Sequence, residues 1–353
     1  MATDATAGSF AEATTVDTDV HVTVPNEVVA EYLDEPYARY MATGTALPKN
    51  SWSSWMAGKI PHDPLLTPED LVARCEEFDV DYPVVNVHTK VTRLPSTDRA
   101  VAFARAYNDA LVDVFLDELD HVHGLINVAT QDPAAAAEEV DRWGDNDQVV
   151  GAYIVDAGPR TPLGDDRYDV LYRALEDNGL TAVLHSSAGG FVYDFPRQNQ
   201  SLETYLEVNT LCHPFSHMLH AASIVCQGVP VKFPDLDLAF LEAGQGWALT
   251  LMYRLNKEYY MRREEAPLLE RSPESYMREF YYGTQPVDEP DDPAHLATLI
   301  ELLGTDAVMF SSDLPHWNFD NPESVERFFE PFSPEERARL FHGNAVEAFD
   351  IDL

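Results

Sequence analysis

The sequence of 353 residues predicts a (β/α)8 barrel, and three observations lead to this fold class. Short apolar segments alternate with longer segments of helical periodicity, which is typical of a parallel sheet covered by helices. Eight such units are present, and eight fit a closed barrel better than an open sheet. No GxGxxG motif follows the first apolar segment, so a dinucleotide-binding fold loses its main support.

Eight candidate strands are bounded mostly by Gly, Pro, Asp or Asn, which end strands because of their turn preferences. Their ranges are 16–22, 81–87, 122–129, 149–155, 181–186, 237–243, 280–284 and 307–312.

Helix starts between the strands repeat one local signal, a capping residue followed by proline in the first turn. It occurs at Thr67-Pro68, Asp132-Pro133, Ser272-Pro273 and Ser333-Pro334. The sequence has no composition break that would mark a second large domain. We therefore predict an acidic, flexible tail over 1–15 and one barrel domain over 16–353, with an insertion at 188–228 that covers the active site.

Charge excludes several classes of partner. The net charge is −38, from 61 acidic and 23 basic residues, so binding to nucleic acid or to an anionic membrane is not expected. Such a surface repels itself in dilute salt and is screened in molar salt, which predicts a halophilic protein. Three cysteines without a CxxC pair, no leader segment and no long apolar run predict a cytoplasmic protein with reduced thiols.

Candidate site residues lie at the carboxyl ends of four predicted strands, where barrel enzymes place their chemistry. The first strand offers Asp19 and His21, the fifth His185, the sixth Glu242 and the eighth Asp313. Imidazoles and carboxylates of this kind are suited to a divalent metal. Asp313 and Glu242 also have a plainer interpretation as helix caps.

Three further histidines, His213, His217 and His220, have helical spacing. Four-residue spacing can place two imidazoles on one helix face. Without an HExxH motif, however, we favour contacts of a helical surface or lid over a ligand pair.

With these residues at its strand ends, the chain resembles a known family, the amidohydrolase-related group that includes aminocarboxymuconate-semialdehyde and resorcylate decarboxylases. The resemblance runs from DVH at 19–21 to GNAVEAF at 343–349 and includes FPDLDLAFLEAGQGW, GTQPVDEP and FSSDLPHWNFDNP. It implies the same barrel fold and a metal held by His21, His185 and Asp313. The family has HxH after the first strand, whereas this sequence has His21-Val22-Thr23. It also has an acid/base histidine after the sixth strand, where this sequence has Glu242.

From these residues and the resemblance we expect Zn or Mn at the site, with Glu242 or Asp19 completing the ligand shell. A metal-free acid/base site is the alternative. Glu242, Asp313 and His316 are the expected catalytic residues. The expected substrate-binding residues are Gly189, Gly190, Phe191, Tyr193, Trp247 and Trp317.

The first functional hypothesis is a metal-dependent hydrolase of a small cyclic or aromatic carboxylic acid derivative. The alternatives are a non-oxidative carboxy-lyase acting on a similar substrate and a barrel that binds a ligand without catalysis, the last suggested by Thr23. The partner is a small molecule in each case, and assembly as a homodimer is left open.

Overall fold

The predicted barrel is confirmed by a computed structural model of the chain, in which eight parallel strands pair in chain order. The structure describes residues 14–43, 64–87, 89, 91–155, 161–186, 204–316, 318–320 and 322–353. Each of the eight predicted segments contains one strand, and most strands are shorter than predicted at their ends. The strands are β1 (Val16–Val22), β2 (Tyr82–Val87), β3 (His123–Asn127), β4 (Val149–Val155), β5 (Thr181–His185), β6 (Leu238–Leu241), β7 (Tyr281–Gly283) and β8 (Val308–Met309).

Helices follow the strands as the alternation predicted. They are α1 (Asn26–Val29), α2 (Tyr37–Ala42), α3 (Pro68–Glu77), α4 (Thr97–Leu111), α5 (Pro133–Trp143), α6 (Asp169–Asp177), α7 (Tyr205–Cys226), α8 (Val229–Lys232), α9 (Gly246–Met261), α10 (Pro273–Met277), α11 (Pro293–Leu303), α12 (Pro322–Phe329), α13 (Pro334–Ala338) and α14 (Asn344–Phe349). All four predicted capping residues accept a hydrogen bond from the backbone of the first turn, as at Thr67 and Ser333.

The barrel closes between its last and first strands. Leu314 bridges to Val20 in parallel orientation, and the Asp313 N–H donates to the Asp19 carbonyl at 3.0 Å. The His21 N–H in turn donates to the Leu314 carbonyl at 2.6 Å. This closure brings the segment after β8 beside β1, so that side chains from opposite ends of the chain meet at one barrel mouth.

Apolar side chains form two layers. Inside the barrel, residues such as Leu125, Val183 and Leu241 are fully buried and pack together. The same cluster includes Phe349 of α14, which covers the amino-terminal end of the barrel. A larger cluster fills the space between the strands and the surrounding helices. Side chains that alternate along each strand supply both layers, which leaves the carboxyl-terminal mouth for polar residues.

Two boundaries differ from expectation. Thr15, placed in the tail, is buried and donates its N–H to the Asp81 carboxylate at 2.8 Å. The rest of the predicted tail lies outside the described residues. In the predicted insertion, the described part from Thr204 onward is α7 followed by Gln227 and Gly228, and α7 is the helix connecting β5 to β6. Much of that segment therefore belongs to the regular barrel.

Candidate metal centre and active site

β1 supplies the first two side chains of the site because it alternates polar and apolar residues. Asp19 and His21 point to the barrel interior, whereas Val20 and Val22 join the outer apolar layer. Asp19 is fully buried and His21 is 3% exposed. A carboxylate and an imidazole that are removed from water in this way need polar or charged partners.

Asn86 on the neighbouring strand β2 connects these two side chains. The His21 Nδ1–H donates to Asn86 Oδ1 at 2.6 Å, and Asn86 Nδ2 donates to Asp19 Oδ1 at 3.1 Å. The strand register places Asn86 directly opposite His21. Because its Nδ1 carries the proton, His21 presents the lone pair of Nε2 to the barrel mouth, as metal-binding histidines do.

His185 at the end of β5 has the same arrangement. Its Nδ1 lies 2.5 Å from the Ser186 carbonyl, to which it donates, and its Nε2 lies 3.0 Å from Asp19 Oδ2. The imidazole is fully buried. The Nε2 atoms of His21 and His185 therefore both face Asp19, with His21 Nε2 at 3.4 Å from Asp19 Oδ1.

Asp313, just after β8, completes the arrangement from the closing side of the barrel. Its Oδ1 lies 2.9 Å from His21 Nε2 and 2.5 Å from His316 Nδ1. Gln285, after β7, donates to Asp313 Oδ2 at 3.2 Å. Asp313 is fully buried, and its φ of +65° lies in the left-handed region that is unusual for residues other than glycine.

The burial and the close charged neighbours of these side chains shift their pKa values. Burial lowers the pKa of His21, although Asp19 acts in the opposite direction. For His185 and His316 burial also lowers the pKa, but the carboxylates of Asp19 and Asp313 outweigh it and raise both pKa values. Burial favours the neutral form of Asp313, yet the charge and hydrogen bonds of His316 and His21 hold its pKa well below the usual range.

Among the residues that the structure describes, two overlapping groups of side chains are close enough to share a cation. Asp19, His21 and His185 each offer a ligand atom within 4.8 Å of the others, and so do His21, Asp313 and His316. His21 belongs to both groups. The donor set of imidazole nitrogens and carboxylate oxygens fits Zn²⁺ or Mn²⁺ by its chemistry.

Glu242, after β6, lies on the opposite side of the His185 ring from Asp19. Its Oε2 is 3.4 Å from His185 Nδ1, and Glu242 belongs to neither of the two groups of possible ligands. Its φ of +63° is again in the left-handed region, and strained conformations of this kind cluster at functional sites. The structure thus places Asp19, rather than Glu242, where it can complete the shell.

Thr23, which stands at the second position of the expected HxH pair, is exposed beyond the end of β1. Its N–H donates to the Leu65 carbonyl at 2.8 Å. The side chain paired with His21 in the barrel interior is Asp19, two residues earlier on the same strand face. The expectation that one ligand position holds only Thr23 is therefore revised: the two possible ligands that β1 offers are Asp19 and His21.

The α7 histidines do not form an exposed helical surface, because His213, His217 and His220 are all at least 96% buried, and none of them belongs to a group of possible metal ligands among the described residues. They face the barrel and fix its loops. His217 Nε2 donates to the Leu241 carbonyl at 2.7 Å, and His220 Nδ1 accepts from the Leu163 N–H at 3.1 Å. His213 Nδ1 lies 3.6 Å from Glu242 Oε2, which connects α7 to the site.

Of the predicted substrate-binding residues, the structure describes only Trp247 on α9. Its ring packs on the outer side of the barrel against Phe240 and Tyr282, with centroids at 5.5 and 5.8 Å, so it is not among the residues brought together at the centre. Gly189, Gly190, Phe191, Tyr193 and Trp317 lie outside the described residues.

Sequence reasoning did not single out Asn86, Gln285 or Tyr153. Asn86 interrupts the apolar run of β2, a signal that could have identified it. Tyr153 is one apolar-looking residue among several on β4, yet its ring lies 4.8 Å from that of His185. Nothing in the local pattern distinguishes it.

Among the described residues, no helix is both long and apolar enough to cross a membrane.

Comparisons with known proteins identify the family of the chain. A family model for amidohydrolases matches residues 16–351. The gamma-resorcylate decarboxylase of Rhodococcus jostii is 27% identical over 300 residues, covering 78% of this chain and 85% of that protein.

Solved structures show the same fold. A 5-carboxyvanillate decarboxylase from Sphingomonas paucimobilis has a TM-score of 0.75 at 20% identity and covers 97% of this chain and 100% of its own. A dihydroxybenzoic acid decarboxylase from Polaromonas, solved with manganese and the inhibitor 2-nitroresorcinol, has a TM-score of 0.73 at 18% identity, with coverage of 96% and 97%.

Proposed function

The chain belongs to the amidohydrolase family, and we propose that it is a metal-dependent, non-oxidative decarboxylase of a small aromatic acid. The observation that carries this proposal is the meeting of Asp19, His21, His185 and Asp313 at one barrel mouth. The decarboxylases among the related proteins favour the carboxy-lyase alternative over the hydrolase that ranked first from the sequence. They also favour catalysis over a barrel that merely binds a ligand.

Asp19, His21 and His185, which form one group of possible ligands, would hold the ion, and Asp313 would join them beside His21. The manganese in the Polaromonas decarboxylase supports Mn²⁺ as the first metal to test, with Zn²⁺ as the alternative. Once bound, such an ion supplies Lewis acidity that polarises substrate oxygens. Asn86 and the Ser186 carbonyl hold both imidazoles with Nε2 toward the ion position.

Loss of CO₂ from an aromatic acid breaks one C–C bond, and the electron pair left on the ring carbon must take up a proton. We assign proton delivery to Glu242, because its carboxyl group lies 3.4 Å from His185 Nδ1 and is outside both groups of possible ligands. His213 lies against the same carboxylate and holds it in place. His316, which is hydrogen-bonded to Asp313, would stabilise charge on a substrate oxygen.

The test is release of CO₂. Purified protein is loaded with Mn²⁺ or Zn²⁺ in molar KCl and given 2,6-dihydroxybenzoate or 5-carboxyvanillate, the acids named for its relatives, together with a wider panel of aromatic acids and lactones. We expect CO₂ and the decarboxylated phenol from at least one acid. Hydrolysis products without CO₂ would reinstate the hydrolase, and no turnover with any compound or metal would favour a binding protein.

A further inference from the structure

An irregularity in β1 decides which of its side chains face the interior of the barrel. Val16 packs in the inner apolar cluster, and in a regular strand Thr18 and Val20 would then face the same side. Val20 instead joins the outer cluster, and Asp19 and His21 are the residues that meet the other side chains of the metal centre. The alternation of inward and outward side chains therefore changes phase between Val16 and Asp19.

The pairing of β1 with β2 shows the extra residue that causes this change. Asp17 pairs with Pro83 and Val20 pairs with Val85, so three steps along β1 match two steps along β2. One residue is thus inserted as a β-bulge, a feature that often lies next to active sites and re-aims side chains there. In this barrel the bulge turns both possible ligands of β1 toward the metal centre.

The side chain of Asp17 holds this bulge. It is fully buried, and its Oδ1 accepts from the Asp19 N–H, two residues further along the chain, at 3.1 Å. The same Oδ1 accepts from the Ser312 N–H at 2.9 Å. One oxygen atom therefore binds the backbone of a possible ligand on β1 and the backbone of the residue directly before Asp313.

The segment after β8 depends on contacts of this kind, because β8 itself has only two residues. The Thr18 N–H and hydroxyl both donate to the Phe310 carbonyl, at 3.1 and 2.8 Å. The Asp313 N–H donates to the Asp19 carbonyl at 3.0 Å. The bond from Asp17 lies between these two contacts and holds the same segment to β1.

The metal centre requires that this closure be exact. His21 Nε2 lies 2.9 Å from Asp313 Oδ1 and 3.4 Å from Asp19 Oδ1, and a ligand set functions only when its atoms are held within about 0.5 Å. We propose that Asp17 is a positioning residue of the metal centre. By accepting from Asp19 and Ser312 through one oxygen, it fixes the bulge and sets the distances between the ligands. The inference rests on the proposed function for the metal.

Variants at Asp17 separate positioning from general stability. Asp17→Asn keeps an oxygen that can accept from both N–H groups, and Asp17→Ala removes it. Asp17→Ser retains a shorter acceptor, which can reach the Asp19 N–H two residues on but not the Ser312 N–H. Asp81→Ala is the matched control, because the Asp81 carboxylate accepts from the Thr15 N–H at 2.8 Å just before β1, at the end away from the metal centre.

Two measurements on folded protein test the proposal without turnover. Isothermal titration gives the affinity for Mn²⁺, and electron paramagnetic resonance of the bound Mn²⁺ reports on the geometry of its ligands. We expect Asp17→Ala to weaken Mn²⁺ binding by about ten- to hundredfold, the range for losing an outer partner of metal ligands, and to change the spectrum. Asp17→Ser should weaken it by a smaller factor, which keeps the test valid if Asp17→Ala does not fold.

Asp17→Asn should recover most of the affinity that Asp17→Ala loses, and Asp81→Ala should bind Mn²⁺ as the wild type does. Wild-type affinity and spectrum in both Asp17→Ala and Asp17→Ser would overturn the proposal. An equal loss in Asp81→Ala would also overturn it, because general destabilisation would then be the cause. So would an equal loss in Asp17→Asn, because the acceptor oxygen would then not be the cause.

Failure of the proposed function has a different signature. If the wild type binds neither Mn²⁺ nor Zn²⁺, the metal-dependent function is wrong, and crystal structures of the metal-free wild type and Asp17→Ser decide the positioning role. We expect the distance between His21 Nε2 and Asp313 Oδ1 to differ between them, and an unchanged distance would exclude the role of Asp17.

Discussion

At the level of single residues, the centre depends on which nitrogen each imidazole offers. His21 and His185 both donate from Nδ1 to a neutral oxygen, and both turn Nε2 toward the Asp19 carboxylate. Two imidazoles and a carboxylate fixed in this way form a preorganised ligand set, because the hydrogen-bonded partners set tautomer and ring orientation before any ion binds.

Asp19→Asn should therefore abolish tight metal binding. The amide keeps the size of the side chain but removes its charge, and we expect Mn²⁺ affinity to fall by at least about tenfold, with the barrel still folded. Metal content after gel filtration, measured by mass spectrometry, checks this. Thr23→Val is the control and should retain the metal; loss of the metal in Thr23→Val but not in Asp19→Asn would mean that Thr23, and not Asp19, completes the shell.

Glu242→Gln separates proton delivery from metal binding. The variant keeps the shape of a residue that belongs to neither group of possible ligands, so metal content should be unchanged while kcat falls by about 10²- to 10⁴-fold. Metal analysis and CO₂ release on the same sample measure both quantities. Full activity in the variant would move the proton-transfer role to another group, with His316 the next candidate.

A carboxyl group outside the centre gives a pH-dependent prediction. Burial, with a smaller effect of Glu347, raises the pKa of Asp237 to about 6. Below the pKa of the unfolded chain, Asp237 is protonated in both states. As the pH rises above that value, Asp237 ionises in the unfolded chain first, so it lowers the free energy of unfolding increasingly up to about pH 6. Above pH 6 this destabilisation stays constant. Asp237→Asn should thus raise the melting temperature at pH 7.5.

The same substitution should have little effect near pH 3, where the wild-type carboxyl group is mostly protonated in both states. Asp235→Asn, two residues earlier and exposed, is the matched control and should change little at either pH. An equal gain for Asp237→Asn at both pH values would exclude ionisation as the cause.

Sequence reasoning located His21, His185 and Asp313 because barrel strands end where chemistry is placed, and each of these lies at or just after the end of a strand. It did not locate Asn86 or the contact of His213 with Glu242. Those depend on strand register and on the direction in which α7 packs. Such contacts join residues far apart in the chain, and no local pattern encodes them.

At the level of elements, the sequence predicted correctly the features that contacts between residues near in the chain determine. The capping residues Thr67 and Ser333 bond within three residues, so their helices begin where the pattern predicts. Which face of α7 packs against the barrel depends on tertiary contacts, and the sequence-based interpretation placed its histidines on the exposed face instead of the buried one. The short β8 illustrates the same limit, since closure with β1 passes through Leu314 rather than a regular ladder.

One element contact gives a stability prediction. Asn108 on α4 is fully buried, accepts from the Asn127 N–H at 2.7 Å and donates to the Asn127 carbonyl and to Glu139 at 2.9 and 2.8 Å. Asn108→Ala would remove the partner of the Asn127 N–H and carbonyl at the end of β3, whereas Glu139 keeps its bonds from Arg142 and Trp143. We expect a loss of about 2 kcal/mol or more in unfolding free energy, at 1–3 kcal/mol for each of the two buried backbone groups.

Urea unfolding followed by circular dichroism measures this loss. Asn26→Ala, at an exposed position of α1, is the control and should stay within about 0.5 kcal/mol of the wild type. A similarly small effect at Asn108 would mean that the end of β3 does not depend on this carboxamide.

For the whole molecule, the barrel was predictable because each βα unit repeats a pattern within a few tens of residues, and a closed barrel accommodates eight of them.

Surface charge affects the stability of the whole molecule through electrostatic repulsion. Many arginines already pair with carboxylates, such as Arg105 with Glu138 and Arg339 with Glu347, and the chain still has a net charge of −38. The remaining repulsion acts on the folded state as a whole.

Stability should therefore rise with salt. Between about 0.1 and 1 M KCl the Debye length falls from about 10 to 3 Å, which screens repulsion between carboxylates across the surface while buried pairs such as His21 with Asp313 are affected much less. Thermal melting across this range should show a midpoint that rises and then levels off once screening is complete. Sucrose at matched osmolality is the control, because it stabilises by exclusion from the protein surface without screening charge. A midpoint that is flat or falls with KCl, or that rises equally in sucrose, would show that acidic repulsion does not limit the stability of this barrel.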